Sequence, residues 1–284
     1  MSTVEVRVDD NLRLAGALLA AGAWPEYEQS VKPYKPHRTA EHAHKFFAAH
    51  KDHAAVKGAA ALVGQGEGLG KLFGPAHAGA WPADIAAGDF KPAAQVEDFW
   101  NESQADWQEA EFDLKLVLAH GNLGQFIDDL LGPQSRKLIV FPNLLFPGLI
   151  PVAVASPAEI MAVVPPPKAW GTSPPWRYKE RRDEVLAAVS KTFAQYIFED
   201  GLPAAQAALK PRAAAFGVAA AVLFVREAEG QEAGDQFMIM EKKTHNLPGL
   251  PGLVEALGPL LAERRAGKHA GFADYLPQLA AVLV

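Results

Sequence analysis

Residues 136–200 constrain this chain more than any other stretch, because they join its densest strand-forming sequence to its most regular helix. Three short apolar segments rich in β-branched residues, 136–140, 149–155 and 160–164, are separated by proline and glycine and read as strands. They show little polar alternation, so helices are expected to cover them on at least one face. Pro142, Pro147 and Pro151 lack the amide proton that a ladder needs, which confines these strands to edges or irregular ends. Short connections favour a mostly antiparallel arrangement, since parallel strands need long crossovers. A stiff proline-rich connector, 165–176, follows. The helix after it, 178–199, carries Val185, Leu186, Val189, Phe193, Tyr196 and Ile197 on one face.

Nearly everything else reads as helix. Residues 4–8 alternate as an edge strand, and Asp9, Asp10 and Asn11 offer a cap before Leu12, Leu14, Leu18 and Leu19. From Val96, a long helix is expected, with Phe99, Trp100, Ser103, Trp107, Ala110, Leu114 and Val117 on one broad apolar face. Around that face, Glu97, Asp98, Glu102, Asp106, Glu109, Glu111 and Asp113 read as a solvated acidic surface. Gly121 and Asn122 end this helix, and a short one, 123–131, stops at Gly132 and Pro133. Residues 213–225 are almost wholly apolar and are expected to form the central buried helix, being too short for a bilayer that needs about 20 residues. Helices over 231–243, 250–265 and 272–283 complete the chain. The expected fold is α+β and predominantly helical, with a small, mostly antiparallel sheet packed by helices. It divides into a helical N-terminal part, 1–135, and a sheet followed by a helical part, 136–284, in one compact unit.

With no cysteine, the chain has no disulfide, thiolate metal site, iron–sulfur cluster or cysteine nucleophile. A net charge of −6 disfavours nucleic acid as a partner. The N-terminus lacks the basic-then-apolar layout of a signal peptide, so a cytoplasmic protein without a membrane partner is expected. No cofactor is expected, and the ligand or protein partner is unknown.

Five of the nine histidines fall within residues 37–53: His37, His42, His44, His50 and His53. A helix begun by a Thr39 cap would place His42, Phe46, Ala49 and His53 on one stripe, with His50 beside it. His50 and His53 are the candidate metal ligands of an alternative, metal-dependent hydrolase reading. A zinc-binding helix takes its first pair of histidines four residues apart, and no pair here has that spacing. Gly64–Gly70 is glycine-rich, but no strand precedes it and no Gly-Lys-Ser/Thr closes it, so it reads as a turn between helices.

Arg177, Lys179, Arg181 and Arg182 form the densest basic cluster, next to the aromatic anchors Trp170 and Trp176. Trp170, Trp176, Arg177 and Arg181 are therefore candidate binding residues, with an anionic ligand or nucleic acid as a further alternative. Glu180, Asp183 and Glu184 are interleaved, which points to ion pairing within the helix. No Gly-x-Ser-x-Gly elbow, dinucleotide fingerprint, calcium loop or His-Glu-x-x-His occurs.

The segment Phe46-Phe-Ala-Ala-His-Lys-Asp-His-Ala-Ala-Val56, with its sheet-then-helix order, resembles an uncharacterised bacterial domain family related to the thermolysin-like (gluzincin) zinc peptidases. That resemblance spans most of the chain. It implies a gluzincin-type fold in which the helix after the sheet carries His-Glu-x-x-His and the following helix supplies an acidic third ligand. The corresponding stretch here is Ser190-Lys-Thr-Phe-Ala194, and no aspartate, glutamate or histidine lies between Asp200 and Glu227. The resemblance thus implies a member without its zinc site, acting by binding or scaffolding rather than by catalysis. No catalytic residue carries over.

Overall fold

The computed structural model describes residues 2–22, 35–64, 68–145, 151–169, 171, 173, 175–269 and 272–283. It is α+β, 68% helical, with a four-stranded sheet, so helices dominate as the sequence implies. The sheet comprises β1 (Val4–Val6), β2 (Lys137–Pro142), β3 (Val152–Ala155) and β4 (Glu159–Val164), in the order β1-β2-β4-β3. β3 and β4 form an antiparallel pair with Val152 opposite Val163. The sheet as a whole is mixed, where short connections had suggested a mostly antiparallel one. The reason lies in its order: β2 and β3 follow one another in sequence but do not pair. Pro142 is accommodated as the last residue of β2, and five of that strand's six residues are buried.

The chain separates into two compact units, each discontinuous in sequence. A helical unit gathers Met1–Glu5, Leu116–Leu138 and Arg182–Val284, and a sheet-bearing unit gathers Val6–Lys115 and Ile139–Arg181.

In the sheet-bearing unit, α1 (Asp10–Ala21) starts at Asp9, whose side chain accepts from the Leu12 N–H, and stops at Gly22. Nine of its twelve residues are buried, because it packs on α2 (Arg38–Phe47), α3 (Ala54–Val63) and α4 (Gly68–His77). Pro75 lies inside α4. α5 (Ala87–Ala93) leads into the apolar face read from the sequence. Phe99, Trp100, Ser103, Trp107, Ala110, Leu114 and Val117 are all buried. Apart from Ser103 they lie on two helices rather than one, α6 (Val96–Glu102) and α7 (Gln104–Leu118), the last turn of α7 belonging to the helical unit. The break is at Ser103, which ends α6 with its N–H and its hydroxyl both donating to the Phe99 carbonyl, at 2.9 and 2.7 Å.

The helical unit contains α8 (Leu123–Leu131), capped by the Asn122 side chain, and α9 (Arg182–Gly201), which follows a 3₁₀ turn at Tyr178–Arg181. Its core helix is α10 (Ala213–Glu229), in which every residue from Phe216 to Val225 is buried. The helical run Ala204–Glu229 is long and apolar enough to cross a membrane by length and composition, and 67% of its apolar window is buried inside the protein. α10 packs on α9, on α11 (Gln231–Thr244) and on α12 (Leu250–Arg265), and α12 packs in turn on α13 (Phe272–Leu283). Only Gly234 is buried on α11; a Cβ there would lie 2.3 Å from Arg226 Cγ and 2.9 Å from the Val222 carbonyl oxygen. The missing side chain is what lets the two helices approach.

Candidate functional site

The histidine-rich stretch is built differently from one continuous helix. α2 ends at Phe47, a 3₁₀ turn covers Ala48–His50, and His53 opens α3 instead of extending α2. Thr39 is not the cap. That position is His37, whose Nδ1 accepts the Thr39 N–H at 3.3 Å, while Thr39 is buried and donates its hydroxyl to Asp106 at 2.7 Å. His53 repeats the device, its Nδ1 accepting the Ala55 N–H at 3.2 Å. His44 donates from Nδ1 to the Ala20 carbonyl at 2.7 Å, which ties α2 to α1. His42 lies 5.1 Å from the Phe99 ring. His50 and His53 flank Phe90 at 6.3 and 5.4 Å. Capping takes the lone pair that a metal would need from His53 Nδ1. Among the described residues, no three His, Asp or Glu side chains gather as a metal-binding group.

Three members of the basic cluster, Arg177, Lys179 and Arg182, pair with acids on other elements. Arg177 forms a two-pronged pair with Asp113, both bonds 2.9 Å, and a third contact with Glu109 at 2.9 Å. Lys179 lies 3.5 Å from the same Asp113. Asp113 is 1% exposed, so this acid belongs to the interior and not to the solvated acidic surface. Bonding to Asp113 outweighs burial and raises the Arg177 guanidinium above its ordinary value. Arg182 pairs across helices with Glu229, one bond being 2.6 Å. Arg177, Lys179 and Arg182 thus pair between elements, Asp183 adds attraction to Arg182 from within the helix, and Glu180 accepts the Arg177 backbone N–H at 2.6 Å. The Arg181 guanidinium sits 5.9 Å from the Trp176 ring, a cation–π distance. Tyr178 anchors the turn through its hydroxyl, which donates to the Val164 carbonyl at 2.7 Å. Trp170 lies outside the described residues, as do the centre of the Gly64–Gly70 loop and the strand positions 149 and 150.

On α9, the stretch Ser190–Ala194 is packed. Ser190 is fully buried and donates its hydroxyl to the Leu186 carbonyl at 2.7 Å. Ala194 is fully buried as well. Lys191 reaches Glu241 on α11 at 2.7 Å, and His245 stands 3.7 Å from the same carboxylate. α10 crosses here with Gly217, where a Cβ would come 2.9 Å from the Lys191 carbonyl oxygen and 2.8 Å from Gln195 Cβ.

One cluster has no sequence signature. His77, at the end of α4 with a side chain 5% exposed, stands 3.6 Å from Asp9 through Nδ1 and 3.6 Å from Glu159 through Nε2. Arg7 in turn pairs with Glu159, one bond being 2.9 Å. Burial pushes Asp9 up, but His77 and the Leu12 N–H outweigh it and leave the carboxyl below its ordinary value. These residues are remote in sequence and meet only through the fold. Comparison with protein-family models, curated proteins and solved structures finds no match to the chain.

Proposed function

We propose that the chain is a non-catalytic, metallopeptidase-like domain that acts by binding or scaffolding. One observation carries this reading: the state of α9 at Ser190–Ala194. A gluzincin places two imidazoles and a carboxylate on this turn, whereas here Ser190 and Ala194 are buried packing residues and Lys191 is a cation held by Glu241. A hydroxyl committed to the backbone and a methyl group supply no lone pair that binds Zn²⁺ strongly or lowers the pKa of a bound water. Large apolar side chains remain available for contact, with Phe112 58%, Ile239 63% and Met240 59% exposed.

The test is elemental mass spectrometry on tag-free protein purified without chelators, together with a casein-hydrolysis assay. Less than a tenth of a zinc per chain and no chelator-sensitive hydrolysis are expected. About one transition metal per chain, or hydrolysis abolished by a chelator, would overturn the proposal.

A further inference from the structure

The two sides of α11 are built differently. Gly234 closes its inner side against α10, and two of its acids are spent within the helical unit: Asp235 holds Arg226 at 2.6 Å and Glu241 holds Lys191 at 2.7 Å. The outer side carries Glu232, Gln236, Ile239 and Lys243, spaced four, three and four residues apart, which sets them in one stripe. All four are exposed, as is Met240 beside them. Among the described residues, neither Glu232 nor Lys243 forms an ion pair; Glu232 accepts only from Gln236 of the same stripe, at 3.4 Å.

The spacing of the stripe is symmetric about a midpoint between Phe237 and Met238, while its two ends carry opposite charge. A two-fold axis through that midpoint lays a second α11 antiparallel to the first. Glu232 of each copy then faces Lys243 of the other, the two helix dipoles oppose, and the two Ile239 side chains lie about 4.5 Å apart along the axis, within one turn. We infer that the outer side of α11 is a self-association surface whose occupant is a second copy of this chain. The inference rests on the binding reading proposed above and names its partner.

Two other accounts of the stripe fit less of it. The dipole of a single helix favours an acid in the first turn and bases in the last, but puts no isoleucine and methionine in water between them. An anionic membrane attracts Lys242 and Lys243 and repels Glu232, whereas a second copy satisfies both ends at once. One pair of helices of about four turns is small beside the ~1,600 Å² of a standard interface. Association is therefore reversible, with a Kd on the order of 100 µM.

The experiment is sedimentation equilibrium of the full chain from about 10 µM to about 1 mM, with Glu232→Lys and Lys243→Glu as variants. Each variant alone sets like charges against each other at both ends of the pair, and is expected to weaken association at least ~10-fold. An equimolar mixture of the two restores opposite charges at both ends, and is expected to associate at least as tightly as the natural chain. A natural chain that stays monomeric at about 1 mM, or equal association in all the samples, would overturn the inference. Binding of a monomer to phosphatidylserine vesicles, lost in Ile239→Ser, would assign the face to a membrane and equally overturn it. Metal content keeps the two readings apart: a metal-free monomer sinks self-association alone, whereas a metal-bearing chain sinks the non-catalytic reading beneath it.

Discussion

Replacing Arg177 with alanine is expected to destabilise the protein by about 3 kcal/mol, because it strips a buried carboxylate of its partner. Asp113 is 1% exposed and takes both prongs of the guanidinium at 2.9 Å. The residual neighbour, Lys179 at 3.5 Å, softens the loss without replacing the paired geometry. Arg177→Lys keeps the charge but not the fork, and is expected to cost about 1 kcal/mol. Adding Asp113→Asn to Arg177→Ala removes the stranded charge and should recover more than half of the deficit. Urea unfolding measures all three, with the midpoint moving and the slope held. A change below about 0.5 kcal/mol for Arg177→Ala would show that the pair is idle.

A side chain at Gly217 is expected to be nearly as damaging. The α9–α10 crossing brings the α10 backbone so close that a Cβ would stand 2.9 Å from the Lys191 carbonyl oxygen and 2.8 Å from Gln195 Cβ. The first of these is backbone and cannot swing aside. In Gly217→Ala, overpacking of about 1–3 kcal/mol is partly offset by about 1 kcal/mol of improved helix propensity. Gly217→Val adds two methyl groups in a stiff rotamer and should cost about 3 kcal/mol. Thermal unfolding reads both, and a Val variant as stable as the natural chain would mean that the two helices readily move apart. Lys191→Ala, on the outer side of the same turn, should cost under about 1 kcal/mol, since its pair with Glu241 is partly solvated.

The long-range physics of this chain explains which features its sequence discloses. Helices such as α8 are legible end to end, because Asn122, Gly132 and the apolar spacing act locally. The apolar face from Phe99 to Val117 is also legible, since helical periodicity survives the break at Ser103. The break itself is not, because the apolar spacing runs through Ser103 unchanged. Histidine caps also escape notice: Ser, Thr, Asp and Asn are the usual capping residues, and Thr39 was the nearer one. Asp113 among its acidic neighbours, and His77 between Asp9 and Glu159, are set by partners 64 to 82 residues away, which no local pattern reports. The sheet order belongs to the same class, as β4 rather than β3 lies beside β2.

The interleaved ownership of the chain by its two units has a consequence for synthesis. The helical unit holds residues 1–5, 116–138 and 182–284, so its first strand residues leave the ribosome long before the helices that complete it. The sheet-bearing unit likewise waits for residues 139–181. Neither unit can be released intact by a single cut, and a nascent chain halted near residue 180 leaves one nearly whole and the other a fragment. Folding of the helical unit is therefore expected to wait for residues 182–284 and to be slowed by closure of long loops, with its apolar α10 the surface most in need of shielding meanwhile.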